Sequence, residues 1–223
     1  MNNTCKHIGF IMDGNGRWAQ MRGKPRLYGH REGVKAMKRV VSACADAGVE
    51  CVSVFAFSTE NWKRSKTEVD GLFKLVREFA SGKLKDVRLF YTGDIAALPE
   101  PVREAVCESR LKTQGNGGII LNIALNYGGQ DEIVSACKRL AEARPREFTK
   151  AEFEKYLYSA KLPPLDCIVR TGGERRLSNF MLYQAAYAEL MFLDMLWPDM
   201  DAERVSEILA DFNGRNRKFG AVR

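Results

Sequence analysis

Six short, uninterrupted runs of apolar residues alternate with segments of helical periodicity along this chain, and this alternation constrains its fold most strongly. The runs are rich in Val, Ile, Leu and Phe, and they lie at Ile8–Met12, Val49–Phe57, Val87–Thr92, Ile119–Leu125, Asp166–Arg170 and Glu189–Asp194. Because apolar and polar residues do not alternate within the runs, we expect strands that are covered on both faces. The pattern predicts one α/β domain over residues 1–223, with a central, mostly parallel six-stranded sheet flanked by helices.

The segments between the runs carry apolar stripes at helical spacing, with no linker, internal repeat or low-complexity stretch. The stripes start at Val34, Val69, Val102, Ile133 and Val205. Thr149 and Glu152 have the spacing of a capping box, which predicts a further short helix. Asp201 and Gly214 are the expected caps of the last helix.

Composition places the chain among globular proteins with a sizeable core, since 45% of its 223 residues are hydrophobic and 28% are charged. No apolar run approaches the roughly 20 residues of a membrane span, and the first run is too short for a signal peptide. We therefore expect a cytoplasmic protein. The six cysteines show no CxxC or metal-finger spacing, so we expect buried thiols and no disulfide.

The net charge of +7, with clustered arginines, favours an anionic partner. Nucleic acid, a lipid surface and a small phosphorylated molecule all meet that description. No nucleic-acid-binding motif stands out, and the aromatic residues do not interleave with a basic stripe, so nucleic acid is not the expected partner.

The segment Asp13–Arg17 (Asp-Gly-Asn-Gly-Arg) directly follows the first predicted strand. Its glycines allow successive backbone N–H groups to turn toward one point, and a helix N-terminus behind them would add positive potential. Arg17 could then contact phosphate oxygens while Asp13 binds a hard cation such as Mg²⁺. On these residues alone, a plain strand-to-helix turn with Asp13 as the helix cap fits equally well.

Three further polar clusters also follow predicted strands. They are Ser58–Arg64, Asn126–Gly129 and Arg170–Asn179. Because the carboxyl ends of parallel strands meet at one edge of a sheet, all four clusters should converge there. Open parallel sheets build their ligand sites at this edge, so we expect a catalytic cleft.

The predicted cleft is rich in arginine and poor in nucleophiles. The arginines that could clamp phosphate oxygens are Arg17, Arg26, Arg64, Arg170 and Arg176. One phosphate rarely needs so many, so a diphosphate or two phosphorylated ligands fit better, with a solvated surface role open for each arginine. Asp13 and Glu189 are the carboxylates that we expect to share Mg²⁺.

Apolar residues beside the cleft allow two interpretations. They include Ala56, Phe57, Ile119, Leu121 and the helical segment Val69–Ala80. These residues form an ordinary core, or they line a long apolar slot that would take an isoprenoid tail behind a diphosphate site.

Six motifs occur in a fixed order along the chain. They are His7–Ala19, Gly29–His30, Phe57–Arg64, Asn126–Gly129, Arg170–Phe180 and Ala188–Leu190. Together they resemble the cis-prenyltransferases, and among them the bacterial undecaprenyl diphosphate synthases, from His7 to about Phe219. The resemblance implies a homodimer whose parallel sheet is flanked by helices, with an apolar tunnel between the sheet and two of the helices.

The resemblance also implies an activity, that of an Mg²⁺-dependent transferase that elongates farnesyl diphosphate with isopentenyl diphosphate in the cis configuration. Its product would be undecaprenyl diphosphate, the lipid carrier precursor for bacterial cell-wall polysaccharide, delivered to the membrane by an enzyme at its inner face. A shorter-product synthase is an alternative. A non-catalytic partner subunit is disfavoured, because Asp13, Arg17 and Glu189 are all present.

Site residues follow from the resemblance position by position. Asp13 would bind Mg²⁺, and Glu189 would contribute to the metal of the second substrate. The residues that would hold the allylic diphosphate are Gly14, Asn15, Gly16, Arg17, Trp18, Arg26 and His30. Those that would bind isopentenyl diphosphate are Arg170, Arg176 and Ser178. Those of a mobile closing segment are Ser58, Glu60, Asn61, Trp62 and Arg64. Asn61 would assist proton removal, and the tunnel would be lined by Ala56, Ile119 and Leu121.

Three places depart from the family pattern. Arg175 stands where some members carry a metal-ligating His. The segment from Trp62 to Val87 is several residues shorter than in some bacterial relatives, which would alter the tunnel and the product length. Lys218-Phe219-Gly220 stands where relatives often show Arg-x-Gly.

Overall fold

Six parallel strands form the centre of the molecule. The computed structural model describes residues 4–82 and 85–215, so the motif at 218–220 lies outside the described residues. The strands are β1 (His7–Ile11), β2 (Cys51–Ser58), β3 (Val87–Thr92), β4 (Ile119–Tyr127), β5 (Cys167–Arg170) and β6 (Glu189–Phe192). They are arranged in the order β3-β4-β2-β1-β5-β6, and every neighbouring pair is parallel. The predicted six-stranded α/β domain is confirmed, and its sheet is parallel throughout.

Both faces of the sheet are buried, because successive residues of a strand point to opposite sides. Phe10 packs in the large core cluster that also contains residues of helices on that face, such as Val40 and Phe73. Its neighbour Ile11 joins Tyr127 and Phe180 in a second cluster. This burial on two sides explains why the strands appear in the sequence as continuous apolar runs.

Helices alternate with the strands, and all but the first were predicted from apolar stripes or from the capping spacing at Thr149. They are α1 (Asn15–Gln20), α2 (Arg26–Asp46), α3 (Lys66–Ala80), α4 (Glu100–Thr113), α5 (Gly129–Ala143), α6 (Lys150–Glu154) and α7 (Ala202–Gly214). Thr149 and Asp201 cap α6 and α7 through their side-chain oxygens, as expected. Gly214 is the last residue of α7 rather than its cap, which is Arg215.

The start of α2 differs from the prediction. The helix begins at Arg26, well before Val34, the first residue of its apolar stripe. A Cβ added at Gly29 would lie 1.9 Å from the backbone oxygen of Asn15, so this helical turn packs directly on α1. Its residues face the loop after β1 instead of the core, and apolar periodicity could not reveal them.

Two further expectations concern the cysteines and the membrane. Cys44, Cys51 and Cys167 are buried thiols, as expected, whereas Cys107 and Cys137 are exposed on helices. Of the helices in the described part of the chain, none combines the length and hydrophobicity needed to cross a membrane.

Candidate active site

The turn after β1 places Asp13 at the carboxyl edge of the sheet. Gly14 has a φ of 104°, and a Cβ there would lie 2.7 Å from Leu196, so a side chain would be both strained and crowded. The N–H of Gly14 donates to Asp13 Oδ1 at 2.6 Å. Asp13 therefore does not cap α1, and its side chain, 30% exposed, is left facing the cleft.

Two arginines hold the carboxylate of Asp13. Arg17 Nη2 lies 3.3 Å from Oδ1, and Arg170 Nη2 lies 3.0 Å from Oδ2. Arg170 is only 4% exposed, so its buried charge depends on Asp13 for compensation. Its Nη1 donates to Ser178 Oγ at 2.7 Å and to the backbone oxygen of Arg176 at 2.6 Å.

Arg176 takes part in this cluster through its backbone alone. Its guanidinium forms an ion pair with Glu174, and its side chain is 61% exposed. The structure thus brings Arg170 and Ser178 together with Asp13, as predicted, but it does not bring the Arg176 side chain to them.

A carboxylate that the sequence did not single out lies at the centre of a second basic cluster. Glu68 accepts a hydrogen bond from Arg64 at 2.9 Å, with Arg26 at 3.5 Å and His30 at 3.7 Å. Partial burial raises the pKa of Glu68, but the neighbouring Arg64, Arg26 and His30 outweigh this effect and hold the pKa below its usual value. The available signal was the capping spacing Ser65-x-x-Glu68, which indicated only a helix start.

His30 has an unsatisfied nitrogen that faces this cluster. Burial, together with the positive charges of Arg64 and Arg26, lowers its pKa from 6.5 to about 4, against the opposing effect of Glu68. Its Nε2 is buried and has no hydrogen-bond partner among the residues that the structure describes. The distance of 3.7 Å to Glu68 is too long for a hydrogen bond. A phosphate oxygen would supply the missing partner.

The segment after β2 is a 3₁₀ helix, Thr59–Lys63, that closes one side of the cleft. Trp62 donates to Asn126 Oδ1 at 2.8 Å, and its ring contacts the rings of Phe57 and Phe73. Ser58 and Asn61 form a reciprocal capping box, in which Asn61 Oδ1 accepts from the Ser58 N–H. The predicted closing segment is therefore an ordered element with defined contacts to its neighbours.

Trp18, predicted to bind substrate, lies on α1 beside the cleft. Its Nε1 donates to Asp199 at 2.6 Å. Its ring stacks with Tyr28, and the Arg22 guanidinium lies 3.8 Å from the ring centroid. These contacts fix the orientation of the indole, so Trp18 supports the loop after β1.

Two polar cavities meet at Asp13. The larger has a volume of about 560 Å³, and the smaller has a volume of about 130 Å³. The polar residues that line the larger are Asp13, Ser58, Glu60, Asn61, Arg64, Arg170, Ser178 and Asn179. The smaller is lined by Asp13, Asn15, Arg17, Arg26, His30 and Arg64. Arg64 and Asp13 line both cavities, and each cavity has at least one further arginine, so the site can hold two phosphorylated groups side by side.

An apolar cavity of about 140 Å³ leads from these polar cavities into the space between the sheet and helices α2 and α3. Its apolar wall includes Val34, Met37, Ala56, Leu75 and Phe79. His30, Asn61 and Arg64 line its polar end, and each also lines at least one of the polar cavities. A ligand with a charged head and an apolar tail fits this arrangement.

A further cavity of about 390 Å³ lies at the amino edge of the sheet. Ile119 and Leu121 line it together with Val41, and Phe79 lines both this cavity and the apolar one. The predicted tunnel residues are thus divided: Ala56 lies on the near side of Phe79, and Ile119 and Leu121 lie on the far side.

The structure contradicts the prediction that Asp13 and Glu189 share one Mg²⁺ within a chain. Glu189 is the first residue of β6 and pairs with Cys167, the first residue of β5. Asp13 lies beyond the last residue of β1, at the opposite edge of the sheet. Glu189 instead accepts a hydrogen bond from Arg215 at 2.9 Å. The first residue of a parallel strand lies at the amino edge of the sheet, whereas the ligand site lies at the carboxyl edge. The prediction did not take this strand direction into account.

Asp13 fits Mg²⁺ as a single protein ligand. The described residues contain no cluster of three or more His, Cys, Asp or Glu side chains that could hold a metal ion. Mg²⁺ is usually bound through one or two carboxylates plus substrate phosphates and water, and Asp13 is such a carboxylate. Its oxygens contact Arg17 and Arg170, which would have to move to phosphate oxygens before a cation could bind.

A parallel sheet with two arginine-lined cavities and an apolar cavity at one edge is suited to phosphorylated ligands that carry apolar tails. Residues 11–220 match the family model described as "Putative undecaprenyl diphosphate synthase". The chain belongs to this prenyltransferase family, as its motifs predicted.

Individual relatives agree with this assignment. The chain is 44% identical to the "Ditrans,polycis-undecaprenyl-diphosphate synthase ((2E,6E)-farnesyl-diphosphate specific)" of Shewanella oneidensis, over 96% of this chain and 82% of that protein. It superposes on lavandulyl diphosphate synthase from Lavandula x intermedia, solved with dimethylallyl diphosphate, with a TM-score of 0.94 and 32% identity. The TM-score with a "probable undecaprenyl diphosphate synthase" from Campylobacter jejuni is 0.83, at 35% identity. Both alignments cover 99% of this chain and 100% of the other.

Proposed function

We propose that this cis-prenyltransferase elongates farnesyl diphosphate by successive cis-condensation with isopentenyl diphosphate. The observation that carries this proposal is the position of Asp13, on the wall shared by two arginine-lined cavities that both adjoin an apolar cavity. Two substrates with diphosphate heads would place their reacting carbons near this wall. Support also comes from the relative that is named as specific for farnesyl diphosphate.

The smaller polar cavity suits the allylic diphosphate. Arg17, Arg26 and His30 would bind its oxygens, with backbone N–H groups of the loop after β1. Leaving-group charge develops on this diphosphate as the allylic C–O bond breaks, and fixed guanidinium groups stabilise that charge. Mg²⁺ held by Asp13 would supply Lewis-acid stabilisation of the same charge.

The larger polar cavity suits isopentenyl diphosphate, with Arg170 and Ser178 as its ligands. The double bond of this substrate would attack the allylic carbon, after which a proton must leave. Asn61 lines the cavity and is the proposed assistant in that step. Trp62 and its segment would exclude water, which would otherwise quench the allylic cation.

The proposed product is undecaprenyl diphosphate, the carrier-lipid precursor for bacterial cell-wall polysaccharide, passed to the membrane because of its long apolar tail. A second candidate is a shorter cis-prenyl diphosphate. The observation that favours it is Phe79, whose side chain lies between the apolar cavity and the cavity beyond it.

The test is product analysis with the purified chain, farnesyl diphosphate, radiolabelled isopentenyl diphosphate and Mg²⁺. Label in a ladder that ends at C55 supports the first candidate, and a ladder that ends earlier supports the second. No label in any product, with the chain alone and Mg²⁺ in excess, would instead support a non-catalytic subunit. Omission of Mg²⁺ should abolish turnover, since Asp13 would lose its cation.

We also propose that the protein acts as a homodimer. Strand β6 is at the edge of the sheet, and Leu190 on it is 39% exposed. An exposed apolar edge strand invites pairing with another chain. Glu189 lies on the same strand but far from its own Asp13. Its proposed role in metal binding would therefore require the homodimer.

A further inference from the structure

One side-chain amide, that of Asn179, connects the loop after β5 with the closing segment. Its Nδ2 donates to Glu60 Oε1 at 3.1 Å, and its Oδ1 accepts from the backbone N–H of Gln130 at 2.8 Å. Its backbone oxygen accepts from the N–H of Gly129 at 2.7 Å. Asn179 therefore contacts the segments that follow β2, β4 and β5 at the same time.

The bonds to Gly129 and Gln130 make Asn179 the cap of α5. The residue at the N-cap position, Gly128, has no side chain to offer, so the cap comes from another loop. Asn179 has a φ of 68°, a left-handed conformation that Asn and Asp tolerate better than most residues. One half of its amide is thus fixed to a helix, and the other half is directed to Glu60.

Asn179 and the residue before it, Ser178, both line the larger polar cavity. Ser178 Oγ accepts from Arg170, the same guanidinium that holds Asp13. A diphosphate that binds Arg170 and Ser178 therefore acts on the residue next to Asn179. Both residues have positive φ, so the turn that presents Ser178 to the cavity is the turn that orients the Asn179 amide.

The residue that receives the amide belongs to the closing segment. Glu60 lies in the 3₁₀ helix with Trp62, which is held by Asn126. Partial burial raises the pKa of Glu60, but hydrogen bonds led by that from Asn179 lower it overall. Glu60 is therefore ionised at neutral pH and is a strong acceptor for the amide N–H.

We propose that Asn179 is a positioning residue that couples occupation of the Arg170–Ser178 cavity to closure of the segment Thr59–Lys63, through its hydrogen bond to Glu60. The identity of the occupant, isopentenyl diphosphate, rests on the proposed function. The coupling itself is a property of this contact: a filled cavity fixes the turn at Ser178, the turn fixes the amide, and the amide holds Glu60.

Substitution of Asn179 by Asp separates this role from helix capping. The new carboxylate can still accept from Gln130, so α5 keeps its cap and the thermal midpoint should change little. Its second oxygen would face Glu60 and repel it. We expect the KM for isopentenyl diphosphate to rise about tenfold, the usual effect of losing a hydrogen bond to a charged group, with the KM for farnesyl diphosphate unchanged.

The double variant Asn179→Asp with Glu60→Gln provides the rescue. The Gln amide can donate to the new carboxylate, which restores the bond with its polarity reversed. The KM of the double variant for isopentenyl diphosphate should therefore lie within about threefold of the KM of Glu60→Gln alone. An unrescued double variant would overturn the proposal, because a merely structural role of Asn179 would not respond to the residue at position 60.

Closure can be observed directly by ¹⁹F NMR of protein labelled with 5-fluorotryptophan, since the chain has three tryptophans. Trp62→Phe assigns the resonance of the closing segment. Isopentenyl diphosphate with Mg²⁺ should shift this resonance in the unaltered protein and fail to do so in Asn179→Asp at saturation. Equal shifts of this resonance in both proteins would overturn the proposed coupling. If calorimetry detects no binding of isopentenyl diphosphate to the unaltered protein, that result would instead count against the proposed function.

Discussion

Individual carboxylates fix the arginines of the site. Asp13 holds Arg17 and Arg170, and Glu68 holds Arg26 and Arg64. Guanidinium groups gathered in one cleft repel each other, and a nearby carboxylate offsets this repulsion. The diphosphate of a proposed substrate would therefore compete with these carboxylates for guanidinium groups that are already in place.

The role of Asp13 can be tested by replacement with Asn, which keeps the shape of the side chain and removes its charge. We expect kcat to fall by about 10³-fold or more, because the stabilisation of leaving-group charge is lost. The matched control is Asp70→Asn on the exposed surface of α3, which should keep full activity.

Circular dichroism of both Asp variants should show the native helix content. Asp13→Asn should also lower the unfolding free energy by a few kcal/mol, because Arg170 stays buried without its counter-charge. Retained turnover in Asp13→Asn would remove the metal role assigned to this residue.

His7 predicts a dependence of stability on pH. Its ring lies between the Pro163 oxygen and Ser53 Oγ, at 2.8 Å from each, and burial lowers its pKa from 6.5 to about 4. Between these two pKa values, His7 is protonated in the unfolded chain and neutral in the folded chain. Stability from this residue is complete above pH 6.5 and is lost as the pH falls toward 4, by up to about 3 kcal/mol.

Urea unfolding across this range measures the effect. His7→Asn keeps a donor near Pro163 but cannot titrate, so the unfolding free energy of this variant should fall less between pH 6.5 and 4. The remaining slope is expected from His30, whose pKa burial also lowers to about 4. Identical pH slopes for His7→Asn and the unaltered protein would contradict the assignment.

The position of a site residue could be predicted where the residue belongs to a motif. Its interaction partner could not be predicted where that partner is set only by the tertiary fold. Asp13, Arg170 and Ser178 are in contact as expected. Glu68 was missed because a carboxylate at a helix start looks like a cap. Arg64 lies only four residues before it, but Arg26 and His30 come from α2. Glu189 was placed at the wrong edge because the direction of its strand was not applied to its first residue.

At the scale of elements, the strands were predictable because burial on both faces leaves a continuous apolar run. β3 matches its predicted bounds, and the other strands differ only at their ends. The helices were predictable wherever one face meets the core. α1 and the first turns of α2 pack on each other and on the loop after β1, so they carry no apolar stripe and the sequence could not give their bounds.

Helix α3 carries the residue that separates the two cavities between the sheet and the helices, and this leads to a prediction about product length. Phe79→Ala should join the apolar cavity to the one lined by Ile119 and Leu121, so the longest product should gain isoprene units. Ile119→Ala should lengthen products only if the chain tip already passes Phe79. Chromatography of labelled products measures both.

Stability must be checked beside product length, because Phe→Ala in a core costs about 3–5 kcal/mol. Phe79→Leu is the milder companion variant and should give an intermediate shift in product length. Leu111→Ala, on the exposed surface of α4, is the control that should change neither property. An unchanged product distribution in both Phe79 variants would show that Phe79 is a core residue that does not limit the length of the product.

At the scale of the whole molecule, a parallel sheet makes four distant segments neighbours. The carboxyl ends of β1, β2, β4 and β5, with the segments that follow them, are joined by Asp13–Arg170, Glu60–Asn179 and Trp62–Asn126. The sequence could predict their convergence, since strand direction alone requires it. It could not predict the pairings, because each depends on side-chain distances that only the packed sheet order sets.

The last whole-molecule property is assembly, which the free edge at β6 predicts. Its outer backbone groups have no neighbouring strand in the described sheet, and Leu190 exposes apolar surface there. Pairing of two copies along this edge would cover both features. We expect sedimentation equilibrium to give twice the chain mass of 25.1 kDa.

Leu190→Glu places a charge at the centre of this edge and should yield a folded monomer, because two like charges would face each other across the two-fold axis. Leu111→Glu, on another exposed surface, should remain a dimer. A monomeric unaltered protein would refute the assembly, and a dimeric Leu190→Glu would move the interface elsewhere. Glu189 neighbours Leu190 and lies at the opposite edge of the sheet from its own Asp13. If Glu189 acts only across this interface, the monomer should lose Mg²⁺-dependent turnover but retain its affinity for the substrate that binds near Asp13.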